Sequence, residues 1–295
     1  MTEAILAVDI GSTKFDVAVV TTEGQILFRE KASSKDARNG DELFGRLARL
    51  MADMIDMAGA NRVELLACGV GTAGPMRPRG EYVSPNNTPA WRDFPLRSRI
   101  AEAALLPSFV DNDCKALALG EGWLGAAKGI RNYMSSVVST GVGGGIVLDG
   151  RLLDGGQGNA GHWGHIIVEP NGPLCNCGTH GCLEAMIAGP HITKRFGIDP
   201  KDATPEIIDE VGRYFAQALV CVAHTLDLEM VTVAGSVALG FGDQFFDSVR
   251  AHYDDMVGFP FARGMKIVPA GLGADTPIIG AAAVGLVGID RDVLG

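Results

Sequence analysis

The amino-acid sequence predicts an α/β protein made of two similar lobes around a cleft. Three observations carry this expectation. The chain has 295 residues, 47% of them hydrophobic, enough for two compact cores. A strand, a Gly/Thr turn, a strand, a glycine turn, a strand, a helix and then a strand ending in glycine occur twice, and such duplication outweighs any single motif. The 40 glycines gather at strand ends. Glycine there lets a backbone approach a bound group closely, so the clusters point to ligand loops.

In the first half, residues 4–10 form a buried-strand candidate that runs into the turn Gly11-Ser12-Thr13-Lys14. A second strand over 15–20, a hairpin turn at Glu23-Gly24 and a third strand over 25–30 follow. Between Asp41 and Met57, Leu43, Phe44, Leu47, Leu50, Met51, Met54 and Ile55 recur with the helical period. Residues 63–70 return to a strand that ends in Gly71-Thr72-Ala73-Gly74-Pro75. After a Pro/Asn-rich loop around Trp91, 97–105 reads as a helix and 108–110 as a short strand ending at Asp111-Asn112-Asp113. A helix over 114–128 closes the first half.

The second half repeats the pattern. Residues 134–139 are a strand, Thr140-Gly141-Val142-Gly143-Gly144-Gly145 a turn, 146–148 a strand, Asp149-Gly150 a hairpin turn and 151–153 a strand. An amphipathic helix over 206–226 precedes a strand over 230–233 and a second strand-end turn, Ala234-Gly235-Ser236. The Ala/Gly-rich segment 277–287 reads as a helix able to pack closely across the lobes. The expected division is a smaller lobe of residues 1–113 plus 275–295 and a larger lobe of 114–274.

Composition excludes several classes of function. The net charge is −10 with no basic run, which disfavours a nucleic-acid partner. The start MTEAILAVDI has no basic region or cleavage site, and no stretch approaches 18 uninterrupted apolar residues, so neither export nor a membrane span is expected. Cys68, Cys114 and Cys221 lie in apolar surroundings that suit buried reduced thiols, and the expected setting is the cytoplasm.

Residues 161–184 read GHWGHIIVEPNGPLCNCGTHGCLE. His165, Cys175, Cys177 and Cys182 offer one imidazole and three thiolates, the donor set of a closed, structural tetrahedral zinc site. Pro173, Gly178 and Gly181 let the backbone curl around one centre. A Cys-x-Cys pair poorly satisfies disulfide geometry, and in a cytoplasmic setting the spacing favours metal.

The turn after Asp9, Gly11-Ser12-Thr13-Lys14, joins two strands. It therefore fails the patterns that deliver phosphate to a helix N-terminus, yet such a turn can cradle phosphate with backbone N–H groups and the Thr13 hydroxyl. Asp9 is placed to hold a water of hydrated Mg²⁺. Ser139–Gly145, with Gly141, Gly143, Gly144 and Gly145, is its counterpart, and two such loops argue for a nucleoside triphosphate held between lobes. Asp111-Asn112-Asp113 follows a strand and opens a helix. Capping accounts for one of the three; a carboxylate here can also take a proton from an alcohol, and Asn112 can bond neighbouring hydroxyls. Asn86-Asn87 and Glu184 are ordinary in isolation and gain interest from the metal segment that would hold them near His162 and His165. Spacing alone assigns His162 no role.

Together these residues resemble the ROK sugar kinases (repressor, open reading frame, kinase) of the actin-like ATPase superfamily, whose ribonuclease H-like fold is duplicated. The resemblance spans Asp9 to Lys14, 69–75, 87–91, Asn112-Asp113, 139–145, the zinc segment and Gly235-Ser236. It implies that Asp113 is the general base for a sugar 6-hydroxyl, and that Asn87, Asn112, Asp113, His162, His165 and Glu184 bind the sugar. It also implies that Asp9, Gly11, Ser12, Thr13, Lys14, Thr140, Gly141, Val142, Gly143, Gly144, Gly145, Gly235 and Ser236 serve ATP and Mg²⁺. Zinc would order the sugar loop, and a homodimer or homotetramer would be usual.

Two positions depart from the family pattern. Ser12 stands where a glycine is usual, and His162 stands where a glutamate accepts sugar hydroxyl protons in most glucose-type members. With its neighbouring motifs, His162 looks like the bacterial N-acetylmannosamine kinases of sialic-acid catabolism, which makes N-acetylmannosamine the expected substrate. A glucokinase or N-acetylglucosamine kinase is the alternative. A further class, the non-catalytic sugar sensors and repressors, carries a helix-turn-helix ahead of the kinase-like part; here the first strand starts at Ala4, and Asp113 and both loops are intact.

Overall fold

The computed structural model describes residues 1–11, 13–85 and 88–295. It divides into two compact units: Met1–Lys128 with Asp154–Ala160 and Leu272–Gly295, and Gly129–Leu153 with Gly161–Gly271.

In the first unit, β1 (Thr2–Ile10), β2 (Lys14–Thr21) and β3 (Ile26–Ser33) form an antiparallel meander. The helix α1 (Gly40–Ala60) then leads to β4 (Val63–Thr72), and α2 (Leu96–Ala104) to β5 (Ser108–Asn112), after which α3 (Asp113–Trp123) begins at once. β4 pairs parallel with β1 and β5 parallel with β4, giving the order β3-β2-β1-β4-β5. The unbroken apolar run Ala4 to Val8 is fully buried, as a strand covered on both faces requires. On α1, Asn39 Oδ1 caps the helix by accepting the Glu42 N–H at 2.9 Å. Leu43, Phe44, Leu47, Leu50, Met51 and Met54 face inward, and Trp91 stacks on Phe94 in the same core with centroids 4.9 Å apart.

The second unit holds β6 (Tyr133–Val138), β7 (Val142–Leu148), β8 (Arg151–Leu152), α4 (Leu183–Ile187), α5 (Gly189–Phe196), α6 (Pro205–Leu226), β9 (Met230–Ala234), α7 (Ser236–Phe241), α8 (Asp243–Met256) and β10 (Lys266–Pro269). Its sheet order, β10-β9-β6-β7-β8, repeats β5-β4-β1-β2-β3 strand for strand. β6–β7 is antiparallel, and β9 and β10 add in parallel. The duplication read from the sequence is thus a duplication of topology. Val211, Phe215 and Leu219 of α6 anchor this unit's core, where Trp163 meets Phe215 edge-on at 5.0 Å.

The chain returns to the first unit as α9 (Thr276–Gly288), which packs on β4 and α3 through small residues. A Cβ on Gly69 would lie 2.0 Å from the Ala281 carbonyl oxygen, and one on Gly120 3.1 Å from the Gly280 nitrogen. These close approaches hold α3 in the first unit, whereas the sequence boundary after Asp113 assigned it to the other lobe. Residues 154–160 also sit with the first unit, tied by Asp154 to the buried Lys115 and by Asn159 Nδ2, which donates to the Met76 carbonyl at 3.1 Å.

Candidate active site

In the first unit, sheet register sets the site. Asp9 pairs with Gly71, and Gly71 with Asp111, so the ends of three parallel strands are level where α3 starts. Gly71 is their meeting point. A Cβ there would lie 3.5 Å from Ala116 Cβ, 3.8 Å from Asp113 Cα and 3.9 Å from Asp9 Oδ1. The sequence marked Gly71 only as a strand end; its repeated place in the duplicated unit was the available signal. Asp9 is half-buried. Desolvation first, then the charges of Asp113 and Asp16, push its carboxyl up to about 7 against the opposing pull of Lys14 and Arg29. Asp16 is itself held by a bidentate Arg29, with Nε at 2.9 Å and Nη2 at 2.7 Å.

The turn between β1 and β2 closes by Gly11 N–H donating to the Lys14 carbonyl at 3.0 Å, and Ser34 Oγ donates to the Gly11 carbonyl at 2.9 Å. Thr13 and Lys14 are exposed. Ser12, Asn86 and Asn87 lie outside the described residues.

The three residues of Asp111-Asn112-Asp113 divide their work. Asn112 Oδ1 caps α3, accepting the Cys114 N–H at 2.9 Å. Asp111 pairs at 2.8 Å with the buried Lys115 ammonium. Asp113 is the exposed carboxylate of the set, with Oδ1 accepting the Cys114 N–H at 2.8 Å.

In the second unit the glycine-rich segment differs from the expected six-residue turn. Ser139 N–H donates to the Gly141 carbonyl at 2.9 Å, and Val142, Gly143, Gly144 and Gly145 already belong to β7, paired with Val138, Val137, Ser136 and Ser135. Chain packing uses these glycines. A Cβ on Gly144 would lie 2.9 Å from Trp163 Cδ1, Gly144 N–H donates to the Gly161 carbonyl at 3.0 Å, and Trp163 Nε1 donates to the Gly143 carbonyl at 2.9 Å. The free turn is thus Ser139 to Gly141, with Thr140 exposed.

Gly235 has φ 101°, and a Cβ on it would lie 2.3 Å from the Val138 carbonyl oxygen, so only glycine fits. It turns β9 into α7 and brings Ser236 Oγ within 2.9 Å of Ser139 Oγ. The two loops singled out separately in the sequence therefore meet, and with Thr140, Gly189, Pro190, Lys201 and Phe241 they line a cavity of about 340 Å³. Sequence reasoning missed the last four; the Gly-Pro pair opening α5 was the signal for the first two, and nothing in the pattern marked Lys201 or Phe241.

The metal-ligand candidates converge. Cys175 Sγ lies 3.6 Å from His165 Nδ1, Cys177 Sγ lies 3.6 Å from Cys182 Sγ, and all four ligand atoms fall within 4.8 Å of one another. Tetrahedral zinc, with bonds of about 2.3 Å to sulfur and 2.0 Å to nitrogen, sets its donors roughly 3.5–3.8 Å apart. The donor set and its spacing fit that ion. Gly181 (φ 69°) makes the tightest bend, since a Cβ there would lie 1.5 Å from the Glu169 carbonyl oxygen. Burial pushes the Cys182 thiol up to about 12. His162 is exposed and stacks on His165 with centroids 6.2 Å apart. Glu184, expected as a sugar contact, directs Oε2 to the Val142 N–H at 2.9 Å, and its Oε1 lies 3.8 Å from Cys175 Sγ.

Two sheets of identical strand order, each with a polar turn between its first two strands, define a duplicated α/β protein of the actin-like kind. The chain belongs to the ROK family, whose model matches residues 5–286. It is 29% identical to the glucokinase of Thermotoga maritima, covering 95% of this chain and 96% of that one. It is 32% identical to the N-acetylmannosamine kinase of Escherichia fergusonii, covering 80% and 84%. A solved ROK family glucokinase from Streptomyces griseus in complex with glucose and AMPPNP is similar with a TM-score of 0.79 at 25% identity, covering 96% of this chain and 99% of that one. Among the described residues no helix is long and apolar enough to cross a membrane.

Proposed function

We propose that the chain transfers the γ-phosphoryl group of ATP to the 6-hydroxyl of a hexose. It is an ATP-dependent sugar kinase. The observation that carries the reading is Asp113: an exposed carboxylate beside Asp9, at the head of a helix whose capping and buried ion pair are supplied by Asn112 and Asp111. Phosphoryl transfer asks little covalent chemistry of a protein and much positioning. Asp113 accepts the 6-hydroxyl proton as that oxygen bonds to phosphorus and the bond to ADP breaks. Asp9 would hold, through water, the Mg²⁺ that arrives with ATP, and the ion would neutralise phosphate charge. In the second unit, the Ser139–Gly141 turn and Gly235-Ser236 bind nucleotide. Thr13 and Lys14 add phosphate contacts. His165 Nδ1 and the three thiolates would hold a zinc ion that staples the sugar loop, which would leave His165 Nε2 for a sugar hydroxyl. Asn87 and the Asn112 amide contribute further hydroxyl contacts, and the enzyme works as a cytoplasmic homodimer or homotetramer.

Glucose is the first reading for the sugar, supported by the glucokinase relative matched over nearly its whole length. N-acetylmannosamine is the second, favoured by His162. A carboxylate only accepts hydroxyl protons, whereas an imidazole can donate to an amide carbonyl such as that of an N-acetyl group. An ADP-coupled assay over glucose, N-acetylmannosamine and N-acetylglucosamine tests both. The highest kcat/KM selects the sugar, and absence of turnover with every sugar refutes a kinase in favour of a non-catalytic sensor.

A further inference from the structure

The segment from Cys182 to Gly189 joins two features that the proposed function treats separately. Cys182, a metal-ligand candidate, is the N-cap of α4, and Leu183 N–H donates at 2.8 Å to Ile166, next to His165. Two residues on, Glu184 Oε2 accepts the N–H of the buried Val142 at 2.9 Å, and a Cβ on Gly141 would lie 2.7 Å from that same oxygen. At the other end, Gly189 N–H donates to the Ser139 carbonyl at 2.8 Å. Both ends of the turn that borders the 340 Å³ cavity thus hang on one short segment, one end on Glu184 of α4 and the other on Gly189, the first residue of α5. Leu183, Ala185, Met186 and Ile187 are buried, so α4 is fixed in the core and cannot slide independently of the cluster.

We propose that Glu184 is a positioning residue for the nucleotide: through Val142 it fixes the Ser139–Gly141 turn relative to the metal cluster, so that metal occupancy strengthens nucleotide binding even without sugar. This rests on the reading that the turn holds ATP. A hydrogen bond to a buried amide from a charged acceptor is among the stronger ones, and losing it leaves Val142 N–H unsatisfied. Glutamine keeps an oxygen acceptor at the same reach, whereas alanine does not.

The test is calorimetric titration of full-length, sugar-free protein with Mg·AMPPNP, with zinc content and melting temperature measured on each sample. Wild type is compared zinc-loaded and chelated, alongside Glu184→Ala and Glu184→Gln. The expected result is that Glu184→Ala weakens nucleotide binding roughly tenfold, while Glu184→Gln stays within about threefold of wild type. Chelation weakens wild type in the same direction but changes Glu184→Ala little, because the link is already cut. Equal nucleotide affinity in loaded wild type and Glu184→Ala, with only sugar affinity lost, overturns the proposal. So does equal affinity in loaded and chelated wild type, which decides the matter if Glu184→Ala does not fold. Wild type that binds no nucleotide at all instead overturns the kinase reading itself.

Discussion

Asp9→Asn is predicted to stabilise the protein at neutral and alkaline pH while impairing catalysis. Burial, Asp113 and Asp16 raise the Asp9 carboxyl from 3.8 to about 7. The folded chain therefore holds this proton more tightly than the unfolded chain does. Stability is greatest where Asp9 is protonated in both states, falls as pH rises through the window between the two values, and stays reduced above about 7. A tenfold difference in proton affinity is worth about 1.4 kcal/mol, so the fully ionised group costs the fold about 4 kcal/mol. About 3 kcal/mol of that cost develops between pH 5 and pH 8. At about 2 °C per kcal/mol for a chain of this size, the Asn variant should gain about 5 °C in melting temperature over wild type on going from pH 5 to pH 8. Differential scanning calorimetry of both proteins at four pH values, without nucleotide, measures this. A melting-temperature difference that stays flat from pH 5 to pH 8 would refute the reasoning that Asp9 is held neutral by its surroundings.

Asp113→Asn should lower kcat about 10²–10⁴-fold while leaving the sugar Kd within about twofold, read by steady-state kinetics and calorimetry; retained turnover removes it as the base. Cys177→Ser should lower both the zinc content and the sugar affinity, and a variant that loses metal but binds sugar normally breaks the link between staple and sugar loop. Zinc added to chelated protein at pH 7 should release protons, because burial holds the Cys182 thiol near 12, and enthalpies that do not vary with buffer would contradict this. Gly235→Ala should cost about 1–3 kcal/mol of stability and raise the ATP KM more than the sugar KM, since the new methyl meets the Val138 carbonyl at a left-handed φ.

Much of this fold is legible because its signals are local. The apolar run of β1, the period of α1 and the repeated strand-turn-strand unit each follow from neighbouring residues, and the metal knuckle is written in cysteine spacing. The glycine-rich segment misled for a physical reason. Glycine also permits one chain segment to lie on another, and the partner of Gly144, Trp163, lies 19 residues away with nothing in the pattern to announce it. Glu184 makes a bond that its residue type did not announce: its carboxylate accepts the N–H of Val142, 42 positions away. The division of labour in Asp111-Asn112-Asp113 was only partly readable. Capping by one member was foreseeable, whereas the pairing of Asp111 depends on burial of Lys115 in a helix buried without interruption from Lys115 to Gly122, which a single lysine does not reveal.

Everything proposed for the site turns on transfer of phosphate from ATP to a sugar 6-hydroxyl. Incubating the zinc-loaded enzyme with Mg·ATP and each hexose, then locating the phosphate by phosphorus NMR, reads that transfer at the product. ADP and hexose 6-phosphate should form in equal amounts with wild type, and almost none with Asp113→Asn. Phosphate on another hydroxyl, or no sugar phosphate from any hexose, would show that the chemistry assigned to Asp113 is wrong.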